Sequence, residues 1–175
     1  MNSLSSYAGR RDPRFVTIRR GGSLDDANHR LLAAWAADCA EHVSHHFREP
    51  YPNDPRPAAA IEQARAWSTS QVTMTQAREA AYAAHEAARA STGAASLSAR
   101  AAGHAAATAH MADHALRAAA YAVRAVRAAS SAEEQDTAAR HESEWQIAGL
   151  PTEVRELVLS TYRSRWSPTH PGHQG

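Results

Sequence analysis

S-A-R-A-A-G-H-A-A-A-T-A-H-M-A-D-H-A-L-R-A-A-A-Y-A-V-R-A-V, Ser98 to Val126, is a long run without proline in which the strongest helix former dominates. It reads as one long central helix. At about 100° per residue, His104, Ala107, Met111, Ala115, Ala118 and Ala122 share one arc, while Asp113, Arg117, Arg124 and Arg127 share the opposite, water-facing one. His104 falls in the middle of the apolar face with Thr108 one turn on, and His110, His114 and Tyr121 flank that face. A functional site is expected around these histidines.

Working outward, the chain of 175 residues is long enough for one domain with a real core. Alanine supplies roughly a quarter of it, and β-branched and aromatic residues are scarce, so the expected fold is all-α: a single-domain bundle of about six helices around the central one. An alanine core gains stability by close approach of backbones, with tryptophans and leucines filling the wider gaps. Gly103 and Ala107, four apart, are one expected contact of this kind. A net charge of +1 excludes a general nucleic-acid binder. The lone Cys39 excludes an intrachain disulfide, and with no apolar signal segment near the start a cytoplasmic setting is expected. Charges recurring every few residues exclude a membrane span.

The remaining segments divide the chain into an arm at residues 1–22, a helical domain at 23–166 and a disordered tail at 167–175. Within the arm, residues 14–19 read as a short extended piece ended by Gly21-Gly22, and Arg10, Arg11, Arg14, Arg19 and Arg20 as either a solvated tail or a basic strip for a phosphate or acidic partner. Ser23 is the expected N-cap of a first helix that runs to about Phe47. Asp54 and Pro55 open a second helix, reaching about Trp67. Thr73 or Thr75 caps a third, Met74 to Arg89, and Ser91-Thr92-Gly93 breaks the chain before the central helix. Ser131 with Glu134 forms a capping-box start for a fifth helix to Trp145. Leu150-Pro151-Thr152 opens a sixth, ending near Tyr162.

Eleven histidines are many for this length. His45, His46, His170 and His173 read as exposed and without a role. His42, His85, His104, His110 and His114 lie within helices, mostly toward apolar faces, where they can serve acid-base chemistry, ligand binding or helix docking. His110 and His114 have the i,i+4 spacing of helical zinc ligands, but no glutamate follows His110, so the metalloprotease motif is absent and neither metal nor cofactor is assigned. Asp38 and His42, also at i,i+4, combine a carboxylate with a base. Cys39 beside them reads as a buried inert thiol. Arg56, Arg65, Arg78 and Arg89 can clamp an anion or pair with Glu62, Glu79 and Glu86 at the surface.

Three blocks carry a family likeness: Leu31 to His42 (L-L-A-A-W-A-A-D-C-A-E-H), Asp54-Pro55-Arg56-Pro57 leading into Ala60 to Trp67, and the Ala-Gly-His…Ala-His…His-Ala-Leu pattern of the central helix. Together they resemble the bacterial, chiefly actinobacterial, "putative immunity protein" family over about residues 12–160. Asp38, His42, Asp54, Arg56, Arg65, Trp67, Gly103, His104, His110 and His114 match its recurrent polar and glycine positions. The resemblance implies an α-helical cytoplasmic domain associated with toxin systems. The function expected is therefore a binding protein for a protein partner or small-molecule ligand, with self-association left open. The alternative is a small all-helical enzyme of a biosynthetic cluster, using an acid-base site of catalytic His104, His110, His114, Asp38 and His42 in a pocket between helix one and the central helix. Trp35, Arg56, Arg65, His85 and Tyr121 are the expected ligand-binding residues.

Overall fold

Alanine at most positions from Ala99 to Ala107 gives a helix with little polar surface to offer water. In the computed structural model of the chain, which describes residues 12–165 and side chains through Tyr162, this segment is buried on nearly every side. It belongs to α5 (Gly93–Ala107), which is enclosed by α1 (Asp26–His42), the single-turn α2 (His45–Arg48), α3 (Arg56–Ser68), α4 (Met74–Arg89) and α6 (His114–Ala129). Outside these, α7 (Gln135–Ala148) packs on α6, and α8 (Thr152–Arg165) packs on α1. The fold is all-α, with eight α-helices among the described residues. Among the described residues β pairing is confined to one isolated bridge, Thr17 to Leu24. None of these helices is long and apolar enough to cross a membrane.

The core is mostly methyl groups. Leu32, Trp35, Val43, Ile61, Leu116, Val154 and Val158 fill the wider gaps, and alanines fill the rest. Such a core buries little area per side chain and depends on short distances between helix axes. Gly103 marks the tightest approach: a Cβ there would lie 2.7–2.9 Å from Cε1, Nδ1 and Nε2 of His85 on α4. The close approach expected at Gly103 is present, and what approaches is an imidazole ring.

The long central helix does not exist as one element. It breaks at residues 108–113, and α6 packs back along α5. No proline or glycine causes this. The Thr108 hydroxyl bonds back to the His104 carbonyl at 3.1 Å, and the Thr108 carbonyl, which a continuing helix would offer to Ala112, instead accepts Nε2–H of His29 at 2.6 Å. A side chain from α1 therefore occupies the carbonyl at the point where α5 ends. The shared arc through His104, Met111 and Ala122 is corrected accordingly, although α6 alone keeps its two faces, with Ala115, Ala118 and Ala122 buried and Arg117, Arg124 and Arg127 exposed.

Other boundaries differ from expectation: α3 starts at Arg56, with Pro55 rather than Asp54 at the capping position. Asp25, rather than Ser23, caps α1, accepting the Asn28 N–H at 2.7 Å; α1 stops at His42, and Phe47 lies in α2. Ser131 bonds the Glu134 side chain at 2.9 Å, but α7 starts only at Gln135. Within residues 14–19 the backbone is extended only at Val16 and Thr17, between two 3-10 turns, Pro13–Phe15 and Ile18–Arg20. This segment is held to the domain by buried Phe15, by the backbone pairing of Ile18 N–H to the Leu24 carbonyl, and by Arg14 reaching Ser160. The turn after it needs Gly22, where a Cβ would collide with the Val16 backbone at 2.0 Å from its oxygen. The third expected helix, by contrast, runs from Met74 to Arg89 as read, started by a capping box between Thr73 and Gln76. Arg10, Arg11, His170, His173 and the tail at 167–175 lie outside the described residues.

Candidate functional site

The break after α5 brings together histidines that a straight helix would separate. Ten residues of helix span about 15 Å, yet Nδ1 of His104 and Nδ1 of His114 are 3.0 Å apart across the α5–α6 turn. One ring therefore donates an N–H and the other accepts with a lone pair, so the accepting ring is neutral, and with the donor neutral as well the two are different tautomers. Tyr121, two turns along α6, stacks nearly parallel on His104 with centroids 5.1 Å apart. His85 meets His104 edge-on at 4.8 Å, and His110 approaches His114 at 5.3 Å. Of the residues singled out from sequence, His85, His104, His110, His114 and Tyr121 thus form one cluster.

Its electrostatics are those of uncharged rings. Burial, followed by the neighbouring His114 and His85 and the Arg117 and Arg100 guanidinium groups, holds His104 down to about 3. Burial likewise lowers His114 to about 4, opposed by Asp113 and aided by His110, Arg117 and His85. His85 is lowered by burial and then by Arg100 and Arg89, and its buried Nδ1 has no hydrogen-bond partner among the described residues. Rings this weakly basic are far from the near-neutral pKa at which a general base is most effective. Among the described residues no group of three or more His, Cys, Asp or Glu is arranged to hold a metal ion.

Asp38, His42, Trp35 and Arg65 are elsewhere, around a cleft of about 290 Å3 between α1, α3 and α7. Asp38 and His42 are neighbours on α1, as their spacing requires, but each has a different partner. Asp38 accepts from Arg65. His42 donates Nδ1–H to Glu142 at 2.7 Å, and the second oxygen of Glu142 accepts Nε2–H of Gln146 at 2.9 Å. Gln146 also donates to the Ala119 carbonyl, while its own carbonyl, in the last turn of α7, accepts the indole N–H of Trp35 at 2.9 Å. On the outside of this network Trp145 lies flat on the His42 ring, with centroids 3.7 Å apart and planes within 4°. Trp145 is 41% exposed, whereas Glu142 beneath His42 is 4% exposed.

The expected ligand-binding and catalytic residues therefore divide into two groups, on different helices, that share no residue. Arg56 joins neither: it closes the loop before α3 by a two-pronged pair with Asp54, whose carboxyl it holds low. Cys39 is fully buried and its thiol is pushed well up by burial, consistent with an inert packing role. His29, Glu142, Trp145 and Gln146 were not singled out from sequence. For α7 a signal existed, since its buried stripe is Ala139, Glu142 and Gln146, two polar residues where apolar ones are usual.

Neither a comparison with curated proteins nor one with solved structures gives a match. A family model described as Imm-5 like putative immunity protein matches residues 22–153, a span that holds the whole histidine cluster, the Trp145 cleft and every helix except most of α8. On that match, which covers most of the sequence, the chain belongs to the Imm-5 like putative immunity protein family.

Proposed function

We propose that this protein is a helical binding module that holds a protein partner on the face built by Trp145, His42, Arg65 and Asp38. The observation that carries the reading is the exposed indole of Trp145, fixed flat on an imidazole that is itself tied to a buried carboxylate. Tryptophan and arginine dominate binding energy at protein interfaces, and an anchor already held in place loses little freedom on binding. The immunity-protein family name agrees with a protein as the partner.

The test is calorimetry of the purified protein against each protein encoded beside it. One should bind with a Kd of about 1 µM or tighter, and Trp145→Ala should weaken it at least about 30-fold, the effect of a residue worth 2 kcal/mol. Binding unchanged in Trp145→Ala would remove this face from the interaction. Failure of every neighbour to bind would remove the reading itself.

An acid-base enzyme is the second reading, and the His42–Glu142 pair is the observation in its favour, because a carboxylate that orients an imidazole is a common catalytic arrangement. Against it, one face of the ring is covered by Trp145, and the His104 cluster that would complete the site belongs to other helices.

A further inference from the structure

A second and larger cleft, of about 450 Å3, opens where the 3-10 turns, α1, the end of α3 and the α5–α6 turn meet. Its rim is cationic, with Arg19 and Arg20 from the turns and Arg30 from α1. Its inner wall is apolar and aromatic, with Phe15, Trp67, Met74 and Met111. No Asp or Glu lines it among the described residues. Arg19 is paired with Asp26 at 2.9 Å. Arg30 is fixed without a carboxylate: it donates to the Trp67 carbonyl and lies 5.0 Å over the Trp67 ring. Arg20 is exposed and has no partner among the described residues.

We propose that this cleft binds a small organic anion, a phosphate ester or carboxylate carrying a flat apolar body. The anionic group sits between Arg20 and Arg30, and the body lies against Trp67 and the two methionines. Each part follows from the lining. Guanidinium groups present paired donors that match planar or tetrahedral oxyanions, and a cleft walled by one sign of charge concentrates the opposite sign. Methionine side chains adapt to an irregular apolar ligand. The volume lies within the usual range for small-molecule sites. The strip Arg19-Arg20 thereby acquires a use that a solvated tail would not have, since Phe15 and the Ile18–Leu24 pairing hold it against the domain.

The experiment is a titration of the full chain, followed by amide and indole NMR shifts, with phenyl phosphate, phenylacetate, inorganic phosphate and benzyl alcohol as probes. One of the two aryl anions should bind with a Kd below about 1 mM, and which binds more tightly separates phosphate from carboxylate recognition. Inorganic phosphate, lacking the apolar body, and benzyl alcohol, lacking the charge, should each be at least about tenfold weaker. Arg20→Gln, at an exposed position, should weaken the preferred anion about 5- to 10-fold without altering partner binding at Trp145. Neither aryl anion binding with a Kd below about 1 mM, a neutral probe binding as well as the anions, or full affinity in Arg20→Gln would each overturn the proposal.

Discussion

Gly103→Ala is the sharpest test of how this core is packed. In an open helix the change would stabilise by about 1 kcal/mol through propensity. Here the added methyl would lie 2.7 Å from Cε1 and 2.8 Å from Nδ1 of His85, well inside contact distance, and the ring is wedged against His104. Something must shift, and small-to-large changes in a packed core cost about 1–3 kcal/mol, so the net effect should be a loss of about 0–2 kcal/mol. Gly103→Leu, with more atoms to place, should fall at or beyond the upper end. The cause is isolated by repeating Gly103→Ala in a His85→Ala background, where the space is free and the propensity gain should appear as stabilisation by about 1 kcal/mol. Urea unfolding of the four proteins gives the coupling directly, expected at about 1–3 kcal/mol. If Gly103→Ala stabilises both backgrounds alike, His85 does not fill the place of a side chain at Gly103 and the packing argument fails.

The histidine cluster should make the protein acid-labile. His104 and His114 titrate at about 3 and about 4 when folded, against 6.5 unfolded, so below pH 6.5 the unfolded chain binds more protons. Stability is therefore full above pH 6.5 and declines as pH falls toward the folded values. By pH 5 the loss is about 2 kcal/mol for His104 and a comparable amount for His114. Urea midpoints at pH 7.5 and 5.0 should differ accordingly, and His104→Asn should shrink the difference; an unchanged difference would show that the ring is not held neutral. Glu142→Ala should cost about 1–3 kcal/mol, because it strands the His42 and Gln146 donors beneath Trp145. Glu142→Gln, which keeps the shape and an acceptor, should cost less, and thermal melts of the two variants that coincide with wild type would refute the network.

What the sequence made legible is what local chemistry controls. Thr73, one of two expected caps, precedes an amphipathic run, and α4 spans Met74 to Arg89 as the pattern says. Gly103 stands out as an unfavourable residue in a helix, and the crowding it implies is real. The histidines share the face of an expected helix that is not continuous: they gather because α6 folds back at a break where His29 bonds a carbonyl 79 positions away. No window of sequence around Thr108 contains that interaction. The same distance effect hid the partners of Asp38 and His42, since spacing on one helix reports which residues are neighbours and not that Arg65 and Glu142 reach them from α3 and α7. The exposure of Trp145 is likewise a property of the packed bundle, which its place at the end of a helix does not show.

The alanine-filled centre of α5 also constrains how this protein can change over generations. A single-base change in an alanine codon leads to valine, threonine, serine, proline, aspartate, glutamate or glycine, and only glycine is smaller. Where Ala99, Ala101, Ala105 and Ala106 stand with essentially no exposed surface, nearly every accessible replacement enlarges or polarises a site without room for it. Drift in such a core is therefore blocked on one side, and divergence should accumulate instead on the outer faces and loops.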